Sequence, residues 1–224
     1  LFYDYGEVTA SVVNQITQGT LCSCLIARDQ IKADEPLIIY TPDVCYESDF
    51  TLSEFAASGL DGLLLTFKAN SPDHSYVVVD EDGLATRTAE KVVISGDALV
   101  GVYCFRTGEM FLKYADEAIA SGIKVNNEFY VSPMYNLLIR DGLRVGIHRT
   151  DKMYVLGTPE DLQFYETHVA ALQSITKFAI CSDHSGFAVK CELIDVLRKL
   201  GYGYVDFGAF SPKDSDHYDS LKPC

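Results

Sequence analysis

Short apolar runs alternate with longer segments of helical spacing along most of the chain, and that alternation constrains the fold more than any single motif does. "LIIYTPDV", "DGLLLTFKA", "ALVGVYCF", "LRVGIHR" and "KFAI" have the length and apolar density of strands buried within a sheet. "SYVVVDEDGLATRTAEK" reads as two strands joined at "DEDG", where Gly83 supplies the turn conformation. That acidic turn is too short for a calcium loop, lacking the later ligands and the terminal Glu. Helical patterns fall between the runs. "TLCSCLIARDQI" has helical spacing, "LSEFAASG" ends at Gly59, and "TGEMFLKYADEAIASG" opens at Thr107 and closes at Gly122. "EFYVSPMYNLLIRDG" carries Pro133 in its first turn. "GTPEDLQFYETHVAALQS" starts with Thr158 as cap, Pro159 next, and Glu160 and Asp161 complementing the positive helix end. Strands and helices at crossover spacing predict an α/β fold with a mainly parallel sheet.

The balance of 48% hydrophobic and 22% charged residues is that of a globular protein. A formal net charge of -14, spread without basic clusters, argues against nucleic acid as a partner but leaves room for a small phosphorylated ligand. No apolar run approaches the roughly 20 residues of a membrane span, and no signal-peptide pattern is present, so no membrane partner is expected. The seven cysteines follow no framework and read as reduced thiols of a cytoplasmic protein. Cys22 and Cys24 form a C-x-C that either touches a metal or, with no second ligand pair nearby, is simply buried. The chain opens at Leu1 and stops at Cys224 in a polar stretch, and is expected to be a piece of a longer product. Residues 1–172 are expected to form one domain, 173–176 a linker, and 177–224 the start of a second βαβ domain.

Asp43 stands at the carboxyl end of a predicted strand, where open α/β sheets bind ligands. A carboxylate there either holds Mg²⁺ or caps the loop after Pro42. The ordered series "TQGTLCSCLIA", "YTPDV", "FKANSPDHSYVVVDEDGLATRTAEK", "VGVYCF", "NNEFYVSPMYNLLIRDG" and "GTPEDLQFYE" resembles the second half of the sugar-phosphate nucleotidyltransferases. The resemblance implies an incomplete Rossmann-like nucleotidyltransferase fold. It implies Asp43 as the ligand of a Mg²⁺ cofactor, and Gly19 and Thr20 lining the nucleotide base. Glu90 would accept sugar hydroxyls and Lys91 would contact the sugar phosphate. Without those flanking motifs, an adjacent Glu-Lys pair at a strand end would read as a solvated surface pair. Gly101 matches a glycine that lets backbone approach the sugar, and Glu128 an acidic position near it, with a plain helix-end Glu as the competing account. Two departures stand out. The family's glycine-rich triphosphate loop, with its Arg and Lys, would precede Leu1. Val155 stands where many relatives carry a second metal-binding Asp. The 224-residue chain alone is therefore expected to make no nucleotide sugar.

A separate signal, "KFAICSDHSGFAVKCELIDVLRKLGYGYVDFGAFS", reads as strand, turn, amphipathic helix, Gly201 and strand. Phe187, Cys191, Ile194 and Leu197, with Leu193 and Leu200, supply the predicted apolar face. "DHSGF" and "FGAFSPKDSDHYD" resemble the opening of type B ribose-5-phosphate isomerases and galactose-6-phosphate isomerases. That resemblance implies Asp183 on sugar hydroxyls, His184 on ring or phosphate, Asp216 in an acidic loop, and a site built across a homodimer. His184 otherwise reads as a helix-start residue bonding locally, and Cys181 as a buried strand residue. Ser182, Asp183 and His184, being neighbours, cannot converge into a hydrolase triad. The expected function is a nucleotidyltransferase joining a nucleoside triphosphate to a sugar 1-phosphate, fused to an isomerase-like module. A non-catalytic sugar-phosphate or nucleotide-binding module, or an isomerase carrying the front part as scaffold, are the alternatives.

Overall fold

A computed structural model describes residues 10–170, 177–182, 185–199, 202–206 and 208. In chain order the first elements are α1 (Thr20–Cys24), a 3-10 segment (Leu25–Gln30), β1 (Leu37–Tyr40), β2 (Val44–Glu47), α2 (Leu52–Ala57) and β3 (Gly62–Lys68). Next come β4 (Tyr76–Val79), β5 (Ala85–Ala89), β6 (Asp97–Phe105), α3 (Gly108–Ala120), α4 (Val131–Arg140), β7 (Val145–Arg149) and β8 (Lys152–Val155). The last are α5 (Pro159–Tyr165), a π-helical segment (Glu166–Ala170), β9 (Lys177–Ile180), α6 (Phe187–Lys199) and β10 (Gly203–Asp206). They fall into two compact units, Leu1–Gly157 and Thr158–Cys224. The expected linker at 173–176 lies outside the described residues.

All nine residues of β6 are buried, and the main sheet is built around that strand in the order β5-β4-β6-β3-β7, with β1 also on β6. β3 and β7 pair in parallel, while β1, β3 and β4 each run antiparallel to β6, and β4 antiparallel to β5. The α/β class with a central sheet is therefore observed, but the pairing is mixed rather than mainly parallel. β1, β3, β4 and β7 share one direction, and β6 runs against them from the middle of the sheet, which turns its neighbours' ladders antiparallel. "LIIY" is correspondingly an edge strand with Ile38 and Tyr40 exposed, not a buried parallel one. A separate antiparallel pair, β2 with β8, sets Val44 opposite Val155.

Alternation sends Leu64, Val77, Leu99, Tyr103 and Phe105 to one face of the sheet, against α3 and α4. Leu63, Leu65, Val100, Val102 and Cys104 go to the other, with Val44 and Phe55. Tyr135 of α4 stacks 4.9 Å from Phe105, and its buried hydroxyl donates to the Cys104 carbonyl at 2.9 Å. The predicted helix starts hold. The Thr107 side chain accepts from Met110 N, and Thr158 forms a capping box with Asp161 behind Pro159. Gly59, Gly83 and Gly122 take the left-handed conformation expected of them.

In the second unit β9 and β10 pair in parallel around α6, a βαβ unit as expected. The buried stripe of α6 is Lys190, Ile194 and Leu197, whereas Leu193 and Cys191 are exposed, so the predicted apolar face is rotated. The rotation has a local cause. Lys190, which is not part of the predicted face, is buried with its ammonium on both oxygens of Asp206 at 2.7 and 2.8 Å, so an ion pair joins Ile194 and Leu197 in the buried stripe. Asp183, His184, Leu200, Gly201 and Asp216 lie outside the described residues.

Candidate functional site

β1 and β4 lie end to end along one edge of β6, and the gap between them forms a notch. On one side, Thr41 donates its N–H to the Gly101 carbonyl at 3.0 Å. On the other, the Ser75 carbonyl accepts from Leu99 N at 2.8 Å. Only Val100 lies between those anchors on β6, a rise of about 7 Å along a β-strand. Gly101 has φ 99, and a Cβ there would collide with the Thr41 side chain, so the glycine admits the close approach of β1's end.

Glu90 follows the end of β5 and sits at the notch, 8% exposed. Ser75 Oγ donates to its Oε2, and so does Ser132 Oγ, at 2.7 Å. One carboxylate oxygen is thereby fixed, while the other, Oε1, takes no hydrogen bond among the described residues. Tyr103 of β6 is buried at the same place. Burial, then the Glu90 carboxylate, raises its phenol above the ordinary value, a bond with Ser75 opposes this, and Cys24 and Asp43 add smaller upward effects. That one phenol, within electrostatic reach of Glu90, Cys24 and Asp43, ties three distant chain segments to one locality.

Asp43 is exposed beyond β1. Its carbonyl accepts from Leu156 N at 2.7 Å. Its Oδ2 lies 3.7 Å, and Val155 Cγ1 3.8 Å, from the point where a Cβ on Gly157 would stand. Val155, the place of the expected second carboxylate, thus borders the same space as Asp43. Among the described residues no group of three His, Cys, Asp or Glu side chains could hold a metal ion. Cys22 and Cys24 of the C-x-C are both half-buried, and burial raises the Cys24 thiol.

Successive strand residues point to opposite faces, yet Glu90 and Lys91 both meet the segment 130–132. Lys91 adopts φ 55, a left-handed turn that swings its side chain to the Glu90 side. Its ammonium lies 5.4 Å from the Tyr130 ring centroid. Contact with the Tyr130 phenol raises the ammonium pKa most, Glu90 and Glu128 add to it, and desolvation opposes. The Tyr130 hydroxyl donates to Glu128 Oε2 at 2.6 Å. Glu128 is presented by a two-residue turn, with Asn126 at φ 47 and Asn127 at φ 65 and backbone bonds in both directions between Val125 and Glu128.

Gly19 and Thr20 stand beside the same segment. Phe129 N donates to the Gln18 carbonyl at 2.8 Å, and Leu21 N to the Phe129 carbonyl at 3.0 Å. A Cβ on Gly19, whose φ is 108, would fall on the Phe129 backbone. Thr20 is exposed at the first turn of α1. Segment 128–132 thus links the Gly19–Thr20 segment, Glu90, Lys91 and Glu128, while Gly101 and Asp43 lie along the end of β1. Ser75, Tyr103, Tyr130 and Ser132 belong to the same locality and carry no spacing signal that singles them out.

No family model and no curated protein matches the chain. Solved structures do. The nucleoside-diphosphate-sugar pyrophosphorylase from Vibrio cholerae RC9 superimposes with a TM-score of 0.61 at 21% identity, over 70% of this chain and 68% of that one. A Bacillus anthracis protein assigned as a glucose-1-phosphate thymidylyltransferase, in complex with a sucrose, gives 0.54 at 15% identity, over 68% of this chain and 62% of that one. At such identities the likeness is one of fold: a mixed α/β architecture around a central sheet.

Proposed function

We propose that the first unit is the sugar-phosphate-binding part of a sugar-1-phosphate nucleotidyltransferase, which converts a nucleoside triphosphate and a sugar 1-phosphate into a nucleotide sugar and pyrophosphate. The observation that carries this is the Glu90–Lys91 pair. A carboxylate pinned through one oxygen by Ser75 and Ser132, beside an ammonium turned to the same side, matches a sugar hydroxyl next to a phosphate. Glu90 Oε1 would accept from the sugar, and Lys91 would hold the phosphate whose oxygen attacks the α-phosphorus of the triphosphate. The solved neighbours support the reading through their shared fold and the sugar-nucleotide chemistry in their names.

Asp43 is the residue that would hold Mg²⁺. A single exposed carboxylate suits an ion that keeps several waters and takes its remaining oxygens from substrate phosphates, and it does not suit a closed all-protein site. When bound, Mg²⁺ would supply charge neutralisation at the triphosphate. The binding-module alternative uses the same pair without turnover. For the second unit the isomerase reading rests on the motif resemblance and its βαβ fold alone, and neither neighbour's name refers to an isomerase. The proposal assigns that unit no activity.

Binding is the direct test. Calorimetric titration of the 224-residue chain with glucose, galactose, mannose and N-acetylglucosamine 1-phosphates should show saturable binding to at least one. Glu90→Gln and Lys91→Met should each weaken it by about tenfold or more, the scale of a lost charge-assisted hydrogen bond. Wild-type chain that binds none of the four, or variants that bind as wild type does, would refute the proposal.

A further inference from the structure

A lysine on an exposed loop ordinarily samples many rotamers, and a phosphate that relies on it must first collect it. Lys91 is exposed, yet its ammonium lies against a residue anchored from both directions. Tyr130 follows Phe129, which is 5% exposed and backbone-bonded to the Gln18–Leu21 segment, and precedes Val131, which is 2% exposed and opens α4. The Tyr130 backbone is therefore anchored by neighbours that cannot shift without disturbing the core. The side-chain hydroxyl is held as well, by the 2.6 Å bond to Glu128 Oε2 at the end of the tight Asn126–Asn127 turn. The series runs from turn to carboxylate, from carboxylate to phenol, and from phenol to ammonium.

We infer that Tyr130 is a positioning residue: it holds the Lys91 ammonium at the mouth of the notch beside Glu90, with Glu128 acting through Tyr130 and not on the ligand. This rests on the sugar-phosphate reading of the site and deepens it, since Tyr130 then helps set affinity for the phosphate half of the ligand without touching it. Neither Tyr130 nor the indirect place of Glu128 follows from the motif pattern. The arrangement is local to the first unit: the ammonium lies over the Tyr130 ring, and Tyr130, then Glu90 and Glu128, raise its pKa.

The test compares wild type with Tyr130→Phe, which keeps the ring and its packing and removes only the hydroxyl. Chain labelled with ¹³C at lysine Cε gives one resonance per lysine, and Lys91→Arg assigns the relevant one. In Tyr130→Phe the Lys91 ammonium should titrate at lower pH than in wild type, and Glu128→Gln should move it the same way. Affinity for the best-binding sugar 1-phosphate of the four above should fall about threefold to tenfold in Tyr130→Phe. An unchanged Lys91 titration in Tyr130→Phe overturns the inference, including the case where affinity falls, because Tyr130 would then act on the ligand directly. If wild type binds no sugar phosphate but the Lys91 titration still shifts, the positioning stands and the proposed ligand class fails.

Discussion

Replacing Ser132 with alanine probes how the Glu90 carboxylate is held. Ser132 is fully buried at the first turn of α4, and its hydroxyl donates to Glu90 Oε2 at 2.7 Å. A hydrogen bond to a charged group contributes about 1.5–3 kcal/mol, and leaving a buried charge short of a donor forfeits most of that. Two effects reduce the loss. Ser75 still donates to the same oxygen, and alanine is the better helix former by a few tenths of a kcal/mol. Ser132→Ala should therefore cost the first unit about 1–2 kcal/mol, a fall in melting temperature of about 3–6 °C for a unit of this size. The chain has no tryptophan, so unfolding is best followed by far-UV circular dichroism in heat and urea. The decisive comparison is a cycle with Glu90→Gln. In the neutral background Ser132→Ala should cost about 1 kcal/mol less, because the missing partner was a charge. Equal losses in both backgrounds, or no loss in either, would refute the claim that Ser132 holds the Glu90 carboxylate.

Two further perturbations follow from the same sheet. Asp97, 7% exposed, is bonded by Arg149 at 3.0 and 3.1 Å and by Lys68 at 2.9 Å, tying the ends of β3, β6 and β7. Arg149 chiefly, aided by Lys68 and opposed by desolvation, lowers the Asp97 pKa. The stability this contributes is complete above the unfolded value of 3.8 and is lost as pH falls through the lower folded value. Asp97→Asn should cost about 1–3 kcal/mol at neutral pH, and the gap from wild type should close in urea titrations below about pH 4. Gly101→Ala should cost more than about 2 kcal/mol in the same assay, since it combines a left-handed backbone with a clash against Thr41, and adding Thr41→Gly should recover the clash but not the backbone strain.

What could be read from the sequence was local. The cap at Thr158 with Pro159 and Asp161, the Gly83 hairpin and the helix carrying Pro133 each depend on residues within a few positions of one another, and each is where it was expected. What could not be read was long-range pairing. "LIIY" has the composition of a buried strand, but its place at an edge follows from β6, some 60 residues later, which takes β3 on its other side. β2 and β8 are four residues each and gain their meaning only by meeting across more than 100 residues. The site divides in the same way. Asp43, Glu90 and Lys91 are visible through motif order, whereas their shared locality depends on the positive φ of Lys91 and on β1 and β4 sharing one edge of β6. Ser75, Tyr130 and Ser132 look like ordinary loop and helix-start residues until the chain folds them against that pair. On α6, the Lys190–Asp206 pair buries a lysine that the apolar pattern left on the polar side.

Asp43, Glu90 and Lys91 are proposed to border one bound sugar phosphate, with Asp43 and Lys91 on its phosphate side. The most direct measurement is the ³¹P relaxation of the best-binding sugar 1-phosphate on the chain, with Mn²⁺ in place of Mg²⁺. Wild type should show strong paramagnetic relaxation of the bound phosphorus. Asp43→Asn should lose it while still binding the sugar phosphate, and Lys91→Met should lose both signals. A sugar phosphate that binds with relaxation indifferent to Mn²⁺, or equally enhanced in Asp43→Asn, would contradict that placement.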